Sequence, residues 1–128
     1  MKILDCTLRD GGYHTNWEFE PEFVRDLITV LDRTVVDVIE LGYKSPLRGG
    51  KYRKCSDKFI EKTIGFVPKS KLSFMIDTKD FVIDGKLDYN LIKTNIHENS
   101  IFSMCRVATT LDFLDYAKEL VSYLNSIG

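Results

Sequence analysis

The sequence predicts an α/β fold in which four short strands alternate with helices, so that the strands run parallel in one sheet. Three observations carry this. Apolar runs begin at intervals of roughly 30 to 37 residues, the length of one strand–helix unit. Between them lie segments whose apolar side chains recur at helical spacing. Polar side chains gather after every apolar run, at the strand end where a parallel sheet assembles a site. The units share no visible sequence similarity, so the repetition is architectural.

The strands are expected at Ile3–Leu8, Val35–Leu41, Leu72–Ile76 and Ile101–Ala108, β-branched or apolar runs bounded by charge, Gly or Pro. The first helix is placed by Pro21, suited to a first helical position, and by the stripe Phe23, Val24, Leu27, Ile28 and Leu31. A second is expected over Ser56–Ile64, with Ser56 as cap and Phe59, Ile60 and Ile64 on one face. A short third falls around Asp88–Thr94. The fourth is the clearest: Phe113, Tyr116, Ala117, Leu120, Val121 and Leu124 form one stripe, and Gly128 stands where a C-terminal cap belongs. No linker or internal boundary interrupts residues 1–128, which read as a single domain.

Two architectures fit, an open doubly wound sheet or a barrel. The first loop, Arg9-Asp10-Gly11-Gly12-Tyr13, lacks the G-x-G-x-x-G spacing and P-loop Lys of a nucleotide fold. Polar pairs instead recur at each strand's end: Arg9 and Asp10, Glu40 and Tyr43, Asp77 and Thr78, Arg106 and Thr109. That recurrence suits a barrel enzyme, although each pair alone also suits caps and solvated loops.

Composition narrows the function classes. The 128 residues carry 44% hydrophobic and 29% charged side chains, ordinary for a globular protein whose core needs no metal or disulfide to form. With 18 basic against 19 acidic residues, no basic excess supplies a phosphate-binding term, so no nucleic-acid partner is expected. No apolar run approaches the roughly 18 residues of a membrane span, so no membrane partner is expected either. Three scattered cysteines, Cys6, Cys55 and Cys105, are neither a disulfide framework nor a ligand array, and a reducing cytoplasm is the expected setting. Cys6 and Cys105 are expected as small buried residues.

The first strand carries the most specific pattern. Asp5-Cys6-Thr7-Leu8-Arg9-Asp10-Gly11 resembles the D-x-T-L-R-D-G signature of the metal-dependent aldolase and acyl-transferase barrels. That family includes 4-hydroxy-2-oxovalerate aldolase, hydroxymethylglutaryl-CoA lyase, isopropylmalate synthase and homocitrate synthase. Ile39-Glu40-Leu41-Gly42 and Arg106-Val107-Ala108-Thr109 follow in the family's order, and the latter is most similar to the aldolase branch. The resemblance implies four βα units forming the N-terminal half of a TIM-type (βα)8 barrel. It implies aldol chemistry on a 4-hydroxy-2-oxo acid through a pyruvate enolate. Acyl-CoA condensation, and a noncatalytic half-barrel that keeps the motif by ancestry, are the alternatives.

The motif suits that chemistry. An enolate needs fixed positive charge as it develops, and a guanidinium supplies donors that do not deprotonate. A carboxylate-held divalent cation polarises the carbonyl of an oxo acid. By resemblance Asp10 is a ligand of Mg or Mn and Arg9 stabilises the enolate; Glu40 orders the site and Arg106 lies near the substrate or organises a carboxylate such as Asp77. Thr7 is expected to support Asp10, and Gly11 and Gly12 to let backbone approach a ligand.

Three departures stand out. The aldolases carry a His three residues after the motif's Asp; here that position is Tyr13 and His14 follows, so His14 is either the displaced base or a loop histidine. The family's His-x-His metal pair has no counterpart, since only His14 and His97 occur. A full barrel needs about 250 residues. The expectation is a half-barrel completed by a missing C-terminal half or by a homo-oligomer, and inactive alone.

Overall fold

In the computed structural model, residues 1–47 and 49–127 are described; Gly128, expected as a cap, lies outside them. The chain order is β1 (Leu4–Asp5), α1 (Thr7–Thr15), α2 (Pro21–Leu31), β2 (Val38–Tyr43), α3 (Lys51–Lys54) and α4 (Asp57–Ile64). Then follow β3 (Lys71–Asp77), a hairpin of β4 (Val82–Ile83) and β5 (Lys86–Leu87), α5 (Tyr89–Asn95), β6 (Phe102–Ala108) and α6 (Leu114–Ile127). β1, β2, β3 and β6 form one parallel sheet in that order. Each new strand is added on the same side of the last, without the reversal that marks a doubly wound sheet. No described helix is long and apolar enough to cross a membrane.

The helices match their patterns. Pro21 opens α2, whose Val24 and Ile28 are buried one turn apart. Asp88 caps α5 by accepting from the Leu91 amide at 2.9 Å. Ser56 occupies the N-cap of α4, but its side chain makes no capping bond, contrary to expectation. The Asp57 carboxylate instead accepts from Lys44 Nζ at 2.5 Å, Ser100 Oγ at 2.5 Å and the Ile101 amide at 3.0 Å. Lys44 is buried, its ammonium 4.8 Å from the ring centres of both Phe74 and Phe102. Burial would raise the Asp57 pKa, but its hydrogen bonds outweigh that and lower it. One ion pair thus ties β2, α4 and the start of β6 together.

The first strand is the main correction. Ile3–Leu8 was expected extended, yet only Leu4–Asp5 pairs, with Val38 and Ile39. Asp5 turns the chain by accepting from the Thr7 amide at 3.1 Å and hydroxyl at 3.0 Å, so Thr7 supports Asp5 rather than Asp10. From Thr7 the motif is helical, and Leu8 and Gly12 face inward one turn apart. Gly12 is a packing glycine, since a Cβ there would lie 2.1 Å from the Trp17 indole. It receives a side chain, not a ligand.

Two bulges set which side chains share a face. Glu40 pairs with Ser73 but Tyr43 with Met75, so β2 carries one extra residue between them. Leu72 pairs with Phe102 but Ser73 with Met104, so β6 also carries one. Without these insertions the period of two would turn Tyr43 and Arg106 away from Glu40. With them, Glu40, Tyr43, Ser73, Met75 and Arg106 lie on one face. Leu72, Phe74 and Ile76 are buried on the other.

Candidate active site

Glu40 is wholly buried at the centre of this face. Arg106 donates to it twice, from Nε at 2.7 Å and Nη2 at 2.6 Å, and Arg9 donates from Nε at 2.9 Å. Burial alone would raise the Glu40 pKa, but the hydrogen bonds from Arg106 and Arg9 outweigh it and hold the carboxyl below its usual value. Arg106, expected near the substrate or organising a carboxylate such as Asp77, organises Glu40. Asp77 caps the turn Thr78–Phe81 and pairs with Lys79 at 3.0 Å, while the Thr78 hydroxyl donates to the Ala108 carbonyl at 2.9 Å. Those two polar residues are structural.

Arg9 also contacts Asp10, whose other oxygen accepts from the Cys6 thiol at 3.2 Å. Arg9, Glu40, Arg106 and Asp10 therefore form one chain of alternating charge across α1, β2 and β6. Burial and the bond to Asp10 raise the Cys6 pKa, and burial pushes the Cys105 thiol to about 12, so neither is poised as a thiolate. Both are half-buried rather than fully enclosed.

Tyr13 and Tyr43 join hydroxyls at 2.8 Å across the same end of the sheet, and burial, then that bond, raise the Tyr43 pKa. Tyr13 thus occupies the position next to the cluster, and His14 is exposed in the last turn of α1. One turn separates His14 from Asp10, which puts them on the same side of α1. Trp17, which the sequence did not single out, braces the group. Its indole donates to the Arg9 carbonyl at 3.2 Å and meets the rings of Tyr13 and Tyr43 edge-on.

A hard divalent cation would need oxygen ligands here. Asp10 is half-exposed and offers carboxylate oxygens suited to a hard cation. Among the described residues, no group of three His, Cys, Asp or Glu side chains is placed to hold an ion. A cavity of about 490 Å³ beside β6 is lined by Phe74, Phe102, Cys105, Val121 and Leu124, away from this cluster.

Guanidinium groups, carboxylates and tyrosine hydroxyls thus gather at the C-terminal end of the parallel sheet. No family model matches the sequence. Relatives do. The chain is 30% identical over 81 residues to 4-hydroxy-2-oxovalerate aldolase of Pelotomaculum thermopropionicum, covering 59% of this chain and 24% of that protein. It is 26% identical over 118 residues to 4-hydroxy-2-oxovalerate aldolase 2 of Mycolicibacterium smegmatis, covering 85% and 30%. The crystal structure of the N-terminal domain of a "putative aldolase" from Bacteroides vulgatus is similar, with TM-score 0.81 and 29% identity, over 100% of this chain and 42% of that one. The chain is thus related to the N-terminal part of the aldolases, as the motif implied. It spans less than a third of the length of the curated relatives it matches.

Proposed function

We propose that the chain forms the enolate-stabilising half of an aldolase site that cleaves or forms a 4-hydroxy-2-oxo acid. In cleavage a base takes the proton of the 4-hydroxyl and the C3–C4 bond breaks. An aldehyde leaves, the electron pair passes to the pyruvate enolate, and the enolate then takes a proton at C3. The observation that carries this reading is Arg9, a guanidinium held by Glu40, which is itself held by Arg106. The N–H donors of Arg9 not engaged by Glu40 and Asp10 meet the enolate oxygen with no reorganisation as charge develops. Tyr13 and Tyr43 offer hydroxyls beside it, and His14 is the proposed base, histidine being the usual proton carrier near neutral pH.

The same reading covers the parts beyond these residues. The unreversed strand order supports four units of a TIM-type barrel, with the other half supplied by further residues or by a second copy. Asp10 is the proposed carboxylate ligand of Mg or Mn, with the remaining ligands from that other half. The free cysteines suit a cytoplasmic setting. Pyruvate binding, followed by saturation-transfer NMR on the methyl signal, tests the core of the proposal. Wild type should bind and Arg9→Lys should bind at least tenfold more weakly. Equal binding by the two would contradict it.

A further inference from the structure

Among the described residues, three cationic side chains at the C-terminal end of the sheet are matched by carboxylates. Arg9 and Arg106 are engaged by Glu40 and Asp10, and Lys79 by Asp77. Arg53, on α3, forms no ion pair among the described residues, and its buried Nε–H has no hydrogen-bond partner. Its guanidinium carbon lies 4.8 Å from the Trp17 ring centre and 5.9 Å from that of Tyr43. A cation over aromatic faces is held in place, yet it keeps its full charge and its outer donors for a ligand.

The surroundings fix that placement. Asn16 and Trp17 both adopt left-handed backbone, with φ of 53° and 55°, a costly conformation for a tryptophan. The turn is held by the Gly50 amide donating to the Asn16 carbonyl and the Tyr52 amide to the Trp17 carbonyl, each at 3.1 Å. It therefore joins α1 directly to α3. A Cβ on Gly50 would lie 2.3 Å from both carbonyl oxygens, so only glycine allows this approach. A Cβ on Gly49 would lie 2.2 Å from Arg53 Cδ, so the arginine stem runs across bare backbone. Trp17 in turn donates to the Arg9 carbonyl, which links Arg53 to the reacting end through one indole.

We propose that Arg53 anchors an oxyanion on the aldehyde half of the substrate, so that the site takes 4-hydroxy-2-oxo acids bearing a second carboxylate or a phosphate ester. This rests on the aldolase reading of Arg9. Arg53 lies against Trp17 and Tyr43, and Trp17 donates to the Arg9 carbonyl, so both cations border the same aromatic group. The guanidinium's outer fork matches either anion by two parallel hydrogen bonds.

Trp17 is the chain's single tryptophan and touches Arg53, so its fluorescence reports the ligand. The probes are pyruvate, 2-oxoglutarate and 4,5-dihydroxy-2-oxo-6-phosphohexanoate, titrated into wild type, Arg53→Gln, Arg53→Lys and Arg9→Lys. Wild type should bind either 2-oxoglutarate or the phosphate ester about tenfold or more tightly than pyruvate, and which one it is distinguishes carboxylate from phosphate. Arg53→Gln should lose that advantage and leave pyruvate binding unchanged, a selective effect that a merely structural arginine would not show. Arg53→Lys, which keeps the charge without the fork, should recover only part of it. Equal preference for the probe with a second anionic group in wild type and Arg53→Gln, or no preference in wild type, overturns the proposal. If pyruvate binding is indifferent to Arg9→Lys while the preference for a second anionic group still follows Arg53, the anchor stands and the enolate role of Arg9 falls.

Discussion

Replacing Glu40 with Gln tests whether the buried charge chain is the organising feature of the site. The carboxylate is fully buried and accepts three hydrogen bonds from two guanidinium groups. An amide of the same shape removes the negative charge and turns two N–H donors toward groups that are themselves only donors. Breaking a buried ion pair by removing one partner costs about 3–5 kcal/mol. Arg106 has 37% side-chain exposure and can swing toward water, which places the expected loss near the lower end, about 3 kcal/mol. Against a typical stability of about 5–15 kcal/mol that is a large fraction. Urea unfolding followed by circular dichroism, at fixed protein concentration and with m unchanged, measures it. The pH dependence supplies a second check. Because folding lowers the Glu40 pKa, its contribution is fully present above the unfolded carboxyl value near ~4.3 and is lost as pH falls below it through the folded value. Glu40→Gln should lack that portion of the acid dependence. A loss under about 1 kcal/mol, with the acid limb unchanged, would refute the reasoning.

Arg9→Lys should leave the fold intact and lower turnover of the completed enzyme by about 10²–10³, because Lys keeps the charge without the planar fork; a steady-state rate within a few-fold of wild type would show that charge alone suffices. Asp10→Asn in the completed enzyme should abolish turnover and weaken Mn binding, and full activity after EDTA treatment would exclude the assigned role. The 128-residue chain should self-associate, since β1 and β6 each leave an edge of unpaired backbone groups; sedimentation equilibrium showing a clean monomer at tens of micromolar would count against the half-barrel.

The strands and the longer helices were legible because their signals are local. Val38–Tyr43, Lys71–Asp77 and Phe102–Ala108 are apolar runs, and α2 and α6 carry stripes long enough to establish a period. The motif's own conformation was not. Asp-Cys-Thr-Leu alternates like a strand, and two consecutive glycines argue against helix. What overrides them is Trp17, five residues past Gly12 and folded back against it, a tertiary contact without local signal. α3 and the β4–β5 hairpin are too short for periodicity to register. In the site, Arg9 and Asp10 were readable from the heptapeptide, and Glu40 and Arg106 from shorter matches. Their mutual arrangement was not, because Glu40 lies 31 residues from Arg9 and 66 from Arg106. Two single-residue bulges decide that Tyr43 and Arg106 face Glu40, and a bulge has no sequence signature here. Arg53 and Trp17 escaped notice for the same reason: only the folded turn at Asn16–Trp17 brings them together.

The proposed reaction turns on Arg9, held by Glu40 and Arg106, stabilising a pyruvate enolate. The most direct measurement is pyruvate release from 4-hydroxy-2-oxovalerate by the completed barrel, comparing wild type with Arg9→Lys under saturating Mn. Enolate stabilisation by Arg9 predicts release by wild type and a kcat reduced about 10²-fold or more in the variant, with its fold unchanged. Equal release by the two proteins, or none from a folded, metal-loaded wild type, would contradict it.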